Sequence, residues 1–245
     1  MKHTLKTIIK NVKSIKGNSL AEFATTTALM ATLAATAAPK LSEMSEGAKG
    51  EKSRNELDKL VKQAGQFYQD TADTEGRGRF PGQERFSVAL GAANGQTYDN
   101  KDAMTQDDID DAMEASGTHT TAIHTDLGLT SASEGWKQYD DTHASVWIPV
   151  FGTSNADAPL PSGVSGVVND PTQAADAPDG TPGLGNGPSE WKSLLGGETL
   201  VSKFQDGHYV YSIVAGGGSG DAGDPPVLFV ADIENCVNFN NLLEP

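Results

Sequence analysis

Between Phe23 and Ala38 the chain runs sixteen residues without a charge, FATTTALMATLAATAA. This run constrains the fold more than any other feature. As a helix it is about 24 Å long at 1.5 Å per residue, short of the roughly 30 Å of a bilayer core. It is preceded by a basic head: Lys2, Lys6, Lys10, Lys13 and Lys16 lie in residues 1–17 with no acid among them. A basic head before an apolar run is a targeting signature. An ordinary secretory signal is one reading, with Ala35-Thr36-Ala37 as its small-residue cleavage site. Glu22 stands against it, because a carboxylate entering a membrane costs a few kcal/mol unless paired.

The residues around that acid decide the comparison. Lys16-Gly17-Asn18-Ser19-Leu20-Ala21-Glu22-Phe23 resembles the processing site of type IV pilins and pseudopilins. In that family a basic leader ends in Gly, and a prepilin peptidase cuts after it and methylates the new amino terminus. A Glu follows five residues into the mature chain, then an apolar helix with a characteristic Pro. The resemblance therefore places the cut between Gly17 and Asn18, makes residues 1–17 a cleaved leader, and matches Glu22, Phe23 and Pro39 to assembly positions. It covers residues 1–72. The chain departs from the family in having Asn18 where Phe is usual and in an Ala/Thr-rich apolar run.

What the resemblance implies is a structural subunit, a pilin or major pseudopilin, and not an enzyme. Its partners would be further copies in a helical filament, the prepilin peptidase, the pilus or secretion assembly machinery, and the inner membrane before assembly. Its end location would be a cell-surface or periplasmic filament. Glu22 would pair with the amino terminus of a neighbouring subunit at Asn18. The alternative from another class is a secreted or membrane-anchored binding module with an ordinary signal peptide.

Beyond Pro39 the pattern becomes amphipathic. Leu57, Leu60, Val61, Ala64, Phe67 and Tyr68 recur at helical spacing, with Lys52, Arg54, Glu56, Asp58, Lys59 and Lys62 assigned to the other face. The reading is one helix over 18–72, apolar over 20–38 and packed on a head over its second half. Gly47 and Gly50, each costing about 1 kcal/mol in a helix, join Pro39 in marking 39–50 as the segment to bend. Gly76, Gly78 and Pro81 end the helix.

Residues 73–245 read as an acidic head with an antiparallel sheet, giving an α+β fold with long loops. Strands are expected at Arg85–Leu90, Val146–Phe151, Leu200–Phe204, Tyr209–Val214 and Val227–Ile233. Gln205-Asp206-Gly207-His208 reads as a hairpin turn joining the third and fourth. Asp107–Ala115 reads as a short helix. From Gly152 to Glu190, 27 of 39 residues are Gly, Pro, Ser, Thr, Asn or Asp, which predicts a long surface excursion.

Without the basic head the chain carries a net charge of −20, so nucleic acid is not an expected partner. A single cysteine, Cys236, excludes an internal disulfide. The histidines, His3, His119, His124, His143 and His208, show no metal spacing and are expected to be satisfied or exposed. Gly216-Gly217-Gly218-Ser219-Gly220 lacks the Lys-Ser/Thr ending of a phosphate loop, and acids follow it. Those acids suit a hard cation. Asp221, Asp224, Asp232 and Glu234 are candidate calcium ligands, and YSIVAGGGSGDAGD resembles the C-terminal calcium loop of major pseudopilins.

Overall fold

The computed structural model describes residues 2–83, 86, 89–90, 119–131, 135, 147–152, 187–202, 208–217 and 224–245, with side chains from Ser19 onward. Among these, an N-terminal helix spans Lys2–Glu75. Four strands follow: β1 (Ile148–Pro149), β2 (Tyr209–Val214), β3 (Val227–Asp232) and β4 (Asn240–Leu243). They form one antiparallel sheet in the order β1-β2-β3-β4. Residues 119–126 are helical, as are Gly187–Leu194. The chain divides into two compact units, Met1–Ala48 and Lys49–Pro245.

The helix does not break where the sequence suggested. Pro39 lies inside it, and Gly47 and Gly50 are helical too. Proline removes only one ladder hydrogen bond, and the flanking Ala37, Ala38, Leu41, Glu43 and Met44 are mostly strong helix formers. Gly50 is buried, with the Phe239 ring against it. The helix also ends three residues later than expected. Gly76 then takes φ +83, a conformation only glycine adopts cheaply, and donates its N–H to Ala72 O at 3.1 Å.

In the second unit the buried face of the helix is Gly50, Ser53, Leu57, Leu60, Ala64 and Thr71. Steps of three, four and seven residues keep these side chains on one stripe. Leu57, Leu60 and Ala64 pack into a core with Tyr209, Tyr211, Ile213, Leu228 and Val230 from β2 and β3. The opposite face of the sheet is covered as well. Val210, Phe229 and Ala231 pack with Ile123, Leu127, Trp147 and Cys236, and Trp147 donates its indole N–H to Asp126 at 2.9 Å. Both faces are dry, which is why YVYSIV and VLFVAD are almost continuously apolar rather than alternating.

Two expectations in the sheet are replaced. Leu200–Ser202, the described part of the third predicted strand, is not strand; β2 pairs with β1 and β3 instead. The Val146–Phe151 candidate shortens to two residues, with a turn beginning at Val150 after Pro149. Leu90 forms an isolated bridge to Ile213. The last four residues of the Gly152–Glu190 stretch belong to a helix. The Asp107–Ala115 helix and residues 203–207 of the predicted hairpin lie outside the described residues.

β4 was not expected. It pairs with β3 from Leu228↔Leu243 to Ala231↔Asn240. At its other edge the Leu242 N–H donates to Asn241 Oδ1 at 2.8 Å, and the same amide donates from Nδ2 to Asp58 on the helix at 2.7 Å.

Phe67 is only half-buried, beneath the Arg79 guanidinium, so the largest truncation cost on the helix shifts to Leu60, which has no exposed surface. Leu60→Ala should destabilise the protein by about 2–5 kcal/mol, and Phe67→Ala by less. A chain shortened to residues 49–245 should unfold cooperatively. Urea denaturation of both variants and of the shortened chain checks these outcomes.

Candidate assembly surface

Residues 19–48 expose every described side chain. Leu20, Phe23, Leu29, Met30, Leu33, Leu41 and Met44 are large apolar groups left in solvent, Phe23 at 71% exposure. A monomeric soluble protein rarely leaves a contiguous apolar surface of this extent uncovered. The helix from Ser19 is long and apolar enough to cross a membrane, by length and composition; a signal sequence passes the same test.

The threonines do not spoil that apolarity as their composition suggests. Thr25, Thr26, Thr27, Thr32 and Thr36 each donate their hydroxyl to a carbonyl three or four residues back, at 2.7–3.1 Å. With each hydroxyl hydrogen held inside the helix, the outward surface is mostly methyl. Glu22 is the one ionisable side chain between Lys16 and Lys40, and it is exposed. Pro39 is exposed near the far end of the run. Gly17 and Asn18 lie in the helix, and their side-chain surroundings are outside the described residues.

Of the calcium candidates, Asp224 and Asp232 are not brought together. Asp224 bridges Gly217 just beyond the Val214↔Val227 end of the β2–β3 pair, whereas Asp232 pairs with Tyr209 at the other end. Five residues of strand separate the two ends, about 17 Å. Asp232 is buried, and Asp221 lies outside the described residues. Among the described residues no three His, Cys, Asp or Glu side chains are grouped to hold a metal.

Two polar centres go beyond the sequence reading, which did not single out Arg79 and named His119 only as satisfied or exposed. Arg79 is buried where the helix hands over to the head. Its Nε donates to both Glu75 oxygens, at 3.0 and 3.2 Å, and Nη1 donates to Gln83 O and to Glu190 Oε1. Glu190 Oε2 in turn accepts the Gly82 N–H at 2.7 Å. Burial opposes the Arg79 charge, yet Glu75 and Glu190 outweigh it and hold the guanidinium above its ordinary value. The Gly76-Arg-Gly-Arg-Phe-Pro sequence read only as a helix stop, because the partner Glu190 is 111 residues away.

The second centre is His119. Its Nε2 lies 2.9 Å from Ser212 Oγ, and Ser212 Oγ is 3.0 Å from Leu90 O. The hydroxyl's single hydrogen goes to the carbonyl, so the imidazole must be the donor to Ser212. That polarity is opposite to the one a histidine needs to activate a serine nucleophile. Desolvation pushes the imidazole down to about 4, with backbone hydrogen bonds opposing.

No family model, curated protein or solved structure matches the chain.

The folded pKa of His119 is depressed below its unfolded value near 6.5, so the unfolded chain takes up the proton first. The stability held above pH 6.5 should therefore fall as the pH drops toward 4, by roughly 3 kcal/mol from this group. Urea denaturation at pH 7 and pH 4.5 should show that loss in the wild type and a smaller one in His119→Gln. Arg79→Met, which leaves Glu190 without its cation, should cost about 3 kcal/mol at pH 7.

Proposed function

We propose that the chain is a structural subunit of a type IV pilus-like filament, a pilin or major pseudopilin. A prepilin peptidase would remove residues 1–17, and the apolar helix beginning at Asn18 would hold the subunit in the inner membrane and then in the filament core. One observation supports this reading: a helix that builds the head's core over 53–71 also carries the exposed, largely apolar run of residues 20–38. A signal peptide discarded after secretion has no reason to share an uninterrupted helix with the core stripe. The acidic head suits an outward, solvated position, since like charges repel close packing of heads and favour burial of the helices instead.

Glu22 then needs a partner. A carboxylate among packed apolar helices carries a desolvation cost that a nearby cation must offset. The amino terminus created at Asn18 of a neighbouring subunit is such a cation. The surface is suited to close helix contact. Ala21, Ala28 and Ala35 are small, and Thr25 and Thr32 between them have their hydroxyl hydrogens turned inward to their own backbone.

The mature amino terminus tests the reading directly. Mass spectrometry of the surface material should find Asn18 as the first residue; a start near Pro39 would assign the chain to a secreted binding module instead. Gly17→Val should leave residues 1–17 attached. Glu22→Val should be cleaved and inserted normally yet give few filaments by electron microscopy, and a normal filament yield would remove the pairing role.

A further inference from the structure

Opposite its buried stripe, the N-terminal helix carries a ridge that nothing covers. Lys52, Asn55, Lys59, Lys62 and Gln66 recur at steps of three and four, and all five are exposed. The same line runs on through Asp70 and Asp73, exposed as well and still helical. The ridge therefore has a basic end and an acidic end. Residues 49–62 hold five basic and three acidic side chains, against seven and 27 in residues 63–245, so the basic end belongs to the helix and not to the head at large. The acids beside it are mostly engaged: Glu56 accepts from Tyr209 and pairs with Lys52, and Asp58 accepts from Asn241. Lys59, Lys62, Asp70 and Asp73 join no ion pair among the described residues.

Such a ridge is complementary to a displaced copy of itself. Lys59 and Asp70 are eleven residues apart, and so are Lys62 and Asp73. Eleven residues are about three turns and roughly 16.5 Å of helix, so copies shifted by that much present the same face. At this shift Glu51 also meets Lys62, and no like-charged pair arises anywhere from 49 to 75. Unshifted copies set every charge against its like. A shift of seven puts Lys52 on Lys59 and Glu51 on Asp58.

We propose, resting on the filament assignment, that neighbouring copies pack these ridges parallel and shifted by eleven residues, with Lys59 and Lys62 of one copy facing Asp70 and Asp73 of the next. With the heads outward, the ridges face the filament axis. Each copy offers its basic end to one neighbour and its acidic end to the other. The contact is therefore heterologous and repeats without closing, as a filament requires. Ion pairs between exposed side chains attract weakly. What they set is the register, because a wrong shift meets like charges.

Filaments of the full-length chain sheared from the cell surface provide the test. Lys59→Asp should lower filament yield several-fold, as should Asp70→Lys, and the two changes together should restore it. All three chains should melt with the wild type in detergent, since both positions are exposed. Single variants that assemble as well as the wild type, or a pair that fails to restore the yield, would overturn the register. Cysteine crosslinking reads the direction. Lys62→Cys with Asp73→Cys should give a ladder of multimers on oxidation, because two sites that far apart on one helix cannot join each other; a chain that stays monomeric would count against the proposal. Antiparallel ridges would be symmetric about Gln66, so disulfide-linked dimers of Gln66→Cys would overturn it as well. Wild-type filaments that begin at Asn18 while these variants assemble unchanged would remove the register alone, whereas a wild type that begins near Pro39 would remove filament and register together.

Discussion

Everything in the head hangs on the burial of one helical stripe, Leu57, Leu60 and Ala64, against the Tyr209–Tyr211–Ile213 and Leu228–Val230 face. Neither partner is stable alone. A four-stranded sheet with a two-residue outer strand has little to hold it flat, and an isolated helix gains little from propensity. Their shared apolar surface is what fixes both, and it also fixes direction: the stripe sets which side of the helix faces inward. The Arg79 cluster then locks the end of that stripe, where Thr71 accepts the Arg79 N–H at 3.0 Å and Tyr68 stacks near Phe80 at 5.3 Å between centroids.

The parts of this arrangement that depend on near neighbours in the chain were readable from the residues. The stripe from Leu57 to Tyr68, the helix stop at Gly76, and the strands at Tyr209–Val214 and Val227–Ile233 all follow from local periodicity or from a single glycine. β4 gave no such signal, since Asn240-Asn241-Leu242-Leu243 is short and lacks β-branched residues; only β3 makes it a strand. The start of the Gly187–Leu194 helix was hidden at the end of a Gly/Pro-rich stretch, although Pro188 in the first turn followed by Glu190 is a helix-start pattern. Glu56 was assigned to the solvent face and instead reaches Tyr209, a partner 153 residues away that no periodicity reveals.

The proposed assembly residues divide in the same way. Gly17, Asn18, Glu22, Phe23 and Pro39 were singled out by the resemblance to a pilin processing site, and what the fold adds is the exposure of Glu22, Phe23 and Pro39. Asp232 went the other way. Counted with surface acids as a cation ligand, it turns out to be interior, because the apolar run of β3 carries it under the helix. The threonines of the apolar run also looked like a defect until their hydroxyls were traced to their own backbone. In each case composition misled because it does not say where a polar atom sends its hydrogen.

The side chain of Asn241 has a consequence for the molecule among its own kind. A strand at the end of a sheet offers bare amides to any other strand that drifts past, and identical chains held at high local density are the worst case. By folding its own amide back over the Leu242 N–H and tethering it to Asp58, Asn241 takes that template away. Crowded heads would then slide past one another as separate bodies. In the proposed filament, attraction between copies would be left to the helices, where it can be reversed, and kept out of the backbone, where it would set hard.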